Sequence, residues 1–340
     1  MGIVREAFRT EERGIDVWSG IAGAIAVAGP LAIGLALDEP VAAVVAAIGG
    51  LNAALCVPRA GIQARIAWGS LCVLGGAAAL LLADATTSSD AALALVTLAW
   101  VAAWGLLRAA GPTGAIAGFG SSAMLVVFAG ALPVGGSLGL RLLWYGLGAV
   151  SGAVLMILAR RGGRGSIPKW RDVRAALREP ALLLHVVRLS IAVAGGTLLY
   201  RLADLPHGYW VPLTTLAILQ PGIHSTHVRS LQRAAGTLVA AVLVISITAL
   251  TDRPWPMVIC AAVCAYFLYA LQERGYFWLV VLVTPAALLM LSAVHFQGDT
   301  VAFDRVVDSL IGIVIGLGFA ELANLAARIG PQLRPRHDPP

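Results

Sequence analysis

The sequence predicts an all-α integral membrane protein with about 12 transmembrane helices, built as two parallel six-helix repeats with both termini cytoplasmic. Three observations carry this expectation. Of 340 residues, 59% are hydrophobic and only 12% charged, whereas soluble domains carry about 25% charged residues; mean hydropathy is +0.85. Apolar runs of spanning length recur along the chain between short polar breakers. The two halves also share residues at a nearly constant offset.

Taken in order, the apolar runs fall near 17–37, 41–57, 66–83, 91–107, 112–132, 138–159, 182–203, 208–221, 234–250, 255–271, 277–296 and 306–327. Breakers separate them: Asp38-Glu39-Pro40, Pro58-Arg59, Asp84 to Asp90, Gly111-Pro112, Pro206-His207-Gly208, Asp252-Arg253-Pro254 and Gln297-Gly298-Asp299. The first run is too long for the apolar core of a signal peptide, and more spans follow it, so it is expected to stay. The domains expected are a first six-helix half at 1–160, a cytoplasmic linker at 161–180, a second half at 181–328 and a disordered tail at 329–340. In the linker, apolar residues from Ile167 to Leu177 recur at helical spacing, which predicts a short interfacial helix.

Orientation follows from Lys and Arg, which accumulate in cytoplasmic loops. Arg5, Arg59, Arg65, Arg108, Arg274 and Arg328 fall on one side with the basic linker. The opposite loops carry Asp38, Asp84, Asp90, Asp204, Asp252 and Asp299, with Arg201 and Arg253 as minority cations. The net charge of +6 is thereby placed against anionic headgroups, and no nucleic-acid partner is needed to explain it.

The repeat is legible at both ends of each half. Ala24-Ile25-Ala26-Val27-Ala28-Gly29 is matched by Ser190-Ile191-Ala192-Val193-Ala194-Gly195, and Asp38-Glu39-Pro40 by Asp204-Leu205-Pro206. Further on, at a slightly smaller offset, Gly111, Arg141, Gly148 and Gly152 match Gly275, Arg305, Gly312 and Gly316. Six spans per half make the repeat parallel, with a pseudo-twofold axis along the membrane normal and room for a cavity between the halves. The second and eighth spans correspond; Gly49-Gly50 is expected to break the former, and Pro212 and Pro221 the latter.

The densest polar cluster inside the apolar regions is His207 to Gly236. Arg229, Gln232 and Arg233 share a helix face; two guanidiniums and an amide suit bidentate recognition of a carboxylate, although topology anchoring explains the arginines equally well. Tyr209 and Trp210 suit an aromatic ring or an interfacial belt, and Thr214, Thr215 and Gln220 complete the polar lining. Arg305 and Asp308, three residues apart, can pair. Asp308 and Glu321 are the candidates for proton coupling, since charges within spans are functional hypotheses by default. His224 and His227 have metal-like spacing without a third ligand close by, which favours a loop role. Cys56, Cys72, Cys260 and Cys264 lie within apolar stretches, and packing explains them. No catalytic constellation or nucleotide fingerprint is present, so neither an enzyme nor an ATP-driven pump is expected, and no cofactor or metal.

The segment His207-Gly208-Tyr209-Trp210-Val211-Pro212-Leu213-Thr214-Thr215-Leu216-Ala217-Ile218-Leu219-Gln220-Pro221, followed by Thr226, Arg229, Gln232-Arg233 and Gly236-Thr237, resembles the signature of the fusaric acid resistance protein-like family, the aromatic acid exporters. Arg305 through Gly312 is similar to the family's later Arg-x-x-Asp-x-x-x-Gly element. The resemblance implies export of aromatic or other organic carboxylates across a bacterial inner membrane, energised by the proton gradient, and distant kinship with plant malate-type anion channels. A passive anion channel and a non-transporting structural protein are the alternatives. The partners expected are an organic anion, the bilayer, and either further copies of the chain or a periplasmic adaptor. The large cytosolic domain of the bigger exporters has no counterpart between the halves, and the first half has no clear copy of the Tyr-Trp and Gln-Arg signature.

Overall fold

The structure, a computed structural model, describes residues 2–8, 14–130, 137–160, 167–294 and 301–329. Among these residues every regular element is helical: α1 (Gly2–Ala7), α2 (Val17–Ala36), α3 (Pro40–Cys56), α4 (Ile62–Thr86), α5 (Asp90–Gly105), α6 (Gly111–Gly130), α7 (Leu138–Ala159), α8 (Trp170–Ala176), α9 (Pro180–Leu202), α10 (Trp210–Ile218), α11 (Ile223–Leu250), α12 (Pro254–Ala270), α13 (Tyr276–Ala293) and α14 (Val301–Ile329). Local chemistry sets many of the starts. Asp16, Ser89 and Ser137 cap α2, α5 and α7 by accepting from backbone N–H groups. Pro40, Pro180 and Pro254 open α3, α9 and α12, where the missing N–H costs nothing. The tail at 330–340 and the break at Gln297-Gly298-Asp299 lie outside the described residues.

Eight helical stretches are long and apolar enough to cross a membrane, counting Asp90–Gly130 as one stretch. Within that stretch a single 3-10 turn, Leu106–Ala110, separates α5 from α6. The shorter α3 and α12, of 17 residues each, are also apolar. Large aliphatic side chains point outward from the middle of these helices, Leu74 and Val314 among them, as a lipid-facing surface requires.

Two expectations need correction. The run 208–221 is short, as expected, with α10 of nine residues, about 13 Å at 1.5 Å per residue, but Pro212 lies inside its first turn and does not break it. Leu219 leaves the helix in an extended conformation, and Gly222 is extended too. A residue preceding proline is pushed out of the α region, which ends the helix ahead of Pro221. The backbone groups so released find side-chain partners: Arg188 Nη2 donates to Gln220 O at 2.5 Å, and the Thr226 hydroxyl accepts from Gln220 N at 3.1 Å. Conversely, Gly49-Gly50 does not break α3, which runs unbroken from Pro40 to Cys56. These glycines serve packing instead.

Comparable helix contacts recur in the parts of the chain before and after α8. In the first half α3 lies between α2 and α7; in the second, α10 lies between α9 and α14. A Cβ on Gly148 of α7 would sit 1.9 Å from Ala46 O of α3, and one on Gly312 of α14 would sit 2.6 Å from Val211 O of α10. Between the halves, α2 packs on α12 while α9 packs on α5. The 3-10 turns before α6 and α13 both end on a glycine in the left-handed half of φ space, Gly111 (φ 82°) and Gly275 (φ 129°). Asp38 (φ 58°) and Asp204 (φ 48°) share an unusual turn conformation as well.

Ion pairs close both ends of the helix array. At the arginine-rich end Asp16 accepts from Ser19 N at 3.1 Å and from Ser19 Oγ at 2.6 Å and pairs with Arg59, which also reaches Glu273 at 3.1 Å. At the other end Arg201 of α9 pairs with Asp90 of α5 at 2.7 Å, and Arg141 pairs with Asp84.

Candidate functional site

Short α10 and the first turns of α14 bring the second-half cluster together. All nine residues of α10 are buried, so its polar side chains must find partners inside the protein. The Thr215 hydroxyl donates to Val211 O at 3.0 Å and to Gly312 O at 3.1 Å, tying α10 to α14. Thr214 accepts from Arg305 Nη1 at 3.3 Å, and the same nitrogen donates to Ser309 Oγ at 2.6 Å. The Arg305 guanidinium also stands 4.1 Å above the centroid of the Trp210 ring.

Arg305 is thus a cation in the protein interior, 1% exposed, held by two neutral hydroxyls and an aromatic face. Its Nε has no hydrogen-bond partner. Asp308, the expected partner, acts on it electrostatically, yet its buried Oδ2 has no hydrogen-bond partner either. Arg233 of α11 is 5% exposed, its Nε is unpartnered, and its charge acts on Arg305 as well. Two buried guanidiniums against one carboxylate leave an excess of positive charge, an arrangement that is costly without an anion. Trp210 Nε1 and Tyr276 Oη, which belong to the surroundings of Arg305, are buried without a hydrogen-bond partner as well.

The other expected site residues fall into different surroundings. Arg229 lies 4.5 Å over the Tyr276 ring and its Nη1 reaches Ala217 O at 3.5 Å, so its cation already has aromatic and carbonyl partners. Gln232 points to α1, donating to Ala7 O at 2.7 Å. The Gln220 amide donates to Leu219 O at 3.3 Å, beside the unwound turn. Tyr209 and Trp210 stack at 4.7 Å and are 1% and 5% exposed, so neither forms an interfacial belt. Glu321 is exposed and pairs with His227 at 3.1 Å, while His224 pairs with Glu6 at 2.7 Å. Both histidines lie on the first turns of α11 and not in a loop, because that helix starts at Ile223, well before the apolar run at 234–250.

Sequence reasoning passed over Ser309, Tyr276, Arg188 and His185. Ser309 follows Arg305 by one helical turn, a spacing that pairs side chains on α14. Arg188 and His185 lie within the apolar run of α9, where any ionisable residue marks itself. His185 is 2% exposed and Arg188 Nη2 approaches its Nδ1 at 3.4 Å. Among the described residues, no group of three or more His, Cys, Asp or Glu stands close enough to hold a metal ion.

Residues 193–319 match a family model described as fusaric acid resistance protein-like, so the site just described lies within the matched segment. The chain is similar to inner membrane protein YccS of Escherichia coli, 29% identical over 137 residues, which cover 40% of this chain and 19% of YccS. It is also similar to YhfK of the same organism, 25% identical over 144 residues covering 42% of this chain and 20% of that protein. A Neisseria gonorrhoeae protein, ORF2, is 28% identical over 148 residues, 42% of this chain and 34% of that one. The matched region is thus a minor part of each of these relatives. No solved structure matches the chain. With spanning helices throughout and a relative of the bacterial inner membrane, the chain is a multi-pass inner-membrane protein.

Proposed function

We propose that this fusaric acid resistance protein-like chain carries organic carboxylates across the inner membrane, with the Arg305 guanidinium as the anion's principal contact. One observation carries the reading: a fully buried cation faces two hydroxyls and a tryptophan ring, while the Asp308 carboxylate that acts on it leaves Oδ2 without a hydrogen bond. A charge left in that state is stabilised by a ligand anion entering its surroundings. Arg233 adds a second positive charge on the same side, and Trp210 and Tyr209 supply apolar area for an aromatic body. The matched contacts of α3 and α10, with α2 on α12 and α9 on α5, support two parallel six-helix repeats about an axis along the membrane normal. In that arrangement both termini are cytoplasmic, and the arginine-rich end draws anions from the cytosol.

Asp308, 3% exposed with Oδ2 unpartnered, is the proton-coupling residue of this reading, since proton uptake there changes the net charge around Arg305. The test is flux of radiolabelled benzoate in proteoliposomes with and without an imposed pH gradient. Gradient-dependent flux that falls at least about tenfold in Arg305→Gln, equivalent to about 1.4 kcal/mol, is the expected result. Loss of gradient dependence in Asp308→Asn is expected with it. Flux in the wild type that ignores the gradient identifies a passive channel, and wild-type flux unchanged by Arg305→Gln removes the site.

A further inference from the structure

Another buried guanidinium with an unpartnered Nε lies at the arginine-rich end, outside the segment that the family model matches. Arg160 follows α7 and is 6% exposed. Its Nη2 donates to Gln272 Oε1, a neutral amide, and its Nε has no partner. The neighbouring carboxylates are already engaged: Glu273 by Arg59 at 3.1 Å, and Asp16 by Arg59 and Ser19. Arg59 therefore takes the acids and leaves Arg160 with none of its own. Burial and the charge of Arg59 both press on the Arg160 guanidinium, whose pKa is pushed down to about 10 against the opposing pull of Tyr269, Asp16 and Glu273.

Arg160 lines a cavity of about 310 Å³ between the halves. The first half supplies its walls from the end of α3, the extended turn after it, α4 and α6; the second half supplies Gln272 and Glu273. Arg59, Thr113, Arg160, Gln272 and Glu273 are its polar lining, and Trp68, Ile116 and Pro58 stand among the apolar residues. Pro112 and Thr113 belong to the first turn of α6, so the positive end of that helix lies at the cavity as well. The volume is at the small end of the roughly 300–1,000 Å³ range of ligand sites, enough for a single ring and its substituent.

We propose that this cavity binds a small monocarboxylate with an apolar or aromatic body, its carboxylate on Arg160 and its body against Trp68. Arg59 and Arg160 line the cavity with Glu273, which Arg59 pairs, so one positive charge is left over and matches one negative charge; a dicarboxylate or a phosphate brings more charge than the cavity answers. Nothing in the second-half cluster around Arg305 lines this cavity. The inference rests on the reading of the chain as an organic-anion carrier for its ligand class, but binding here does not require transport.

The experiment is calorimetric titration of the full chain in nanodiscs with benzoate, and with the isosteric neutral benzamide as the control. The Arg305→Gln protein removes the second-half site, so any component left reports the cavity. Expected in that background is benzoate binding at least tenfold tighter than benzamide. Adding Arg160→Gln should weaken benzoate at least tenfold, and Arg160→Lys less, since charge survives without the planar fork. If the Arg160→Gln protein does not fold, Ala64→Leu at the cavity wall takes its place, because it reduces the volume without touching the charge. Equal affinity for acid and amide, or binding indifferent to both substitutions, overturns the proposal. Cavity binding with no benzoate flux in proteoliposomes removes the transport reading alone, whereas flux with no Arg160-dependent binding removes the cavity site alone.

Discussion

The guanidinium carbon of Arg305 stands 4.1 Å from the centroid of the Trp210 ring, and both side chains are buried. Away from water such a contact contributes about 2 kcal/mol. Together with Thr214 and Ser309 it holds a cation where lipid-embedded protein otherwise avoids one.

Replacing the ring tests that contact directly. Trp210→Leu is expected to lower stability by about 2 kcal/mol or more, because the cation loses its aromatic face and the site loses packing volume. Trp210→Phe should lose less. Thermal unfolding followed in detergent separates the two, and equal effects would show that packing alone accounts for Trp210.

Helix approach at the glycines of α7 and α14 makes a paired prediction. A Cβ at Gly148 meets Ala46 O at 1.9 Å and one at Gly312 meets Val211 O at 2.6 Å, whereas at Gly146 nothing lies within 4 Å. Gly148→Ala and Gly312→Ala are each expected to destabilise by about 2–4 kcal/mol through forced separation of packed backbones. Gly146→Ala should be neutral or slightly stabilising. Melting temperatures of the three variants check the ranking.

At the arginine-rich end α1 lies against α11 through Gln232 Nε2 to Ala7 O (2.7 Å) and His224 to Glu6 (2.7 Å), and Phe8, just after α1, makes an edge contact with Phe277 of α13 (5.2 Å). Gln232→Ala should cost about 1 kcal/mol, the worth of one hydrogen bond, and loosen α1 without unfolding the bundle. Hydrogen exchange should rise in α1 and the first turns of α11 and nowhere else. Protection unchanged in α1 would show that the other two contacts suffice.

Acid stability depends on Asp16. Burial alone would raise its carboxyl pKa, but the hydrogen bonds from Ser19 and the charges of Arg59 and Arg160 outweigh burial and hold it below the usual carboxylate range. A folded-state pKa below the unfolded one gives stability that is present above about pH 4 and is lost as the pH falls through the folded value. Asp16→Asn should therefore be less stable than the wild type at neutral pH, and the gap should narrow on acidification below about pH 4. A gap that stays constant with pH would rule out this linkage.

Much of the fold was legible before any coordinates. The ends of α2, α7 and α12 fall close to the apolar runs that predict them, and the amphipathic stretch after Ile167 became α8. The run at 208–221 ends early, as Pro221 predicts, but Pro212 sits in the first turn of α10 without breaking it, and hydropathy does not register that Arg188 donates to the Gln220 carbonyl after the helix. The site was legible in part. Arg305, Trp210 and Thr214 converge as a cluster, while Gln232 is drawn to α1 and Glu321 to His227. Arg160 read only as one of a run of topology-setting cations, since its exceptional feature is the absence of a carboxylate that Arg59 has taken.

The class of the protein and the position of most of its spans were determined by the sequence by itself, because a run of roughly 20 apolar residues meets lipid on local terms and needs no neighbour to be recognised. Which arginines lie buried without an acid of their own was decided only by the tertiary structure. Arg229 rests on Tyr276 while Arg305 and Arg160 keep an unpartnered Nε. A guanidinium carries the same charge wherever it stands in the chain, and its balance is set by the carboxylates, hydroxyls and rings that other helices bring within reach.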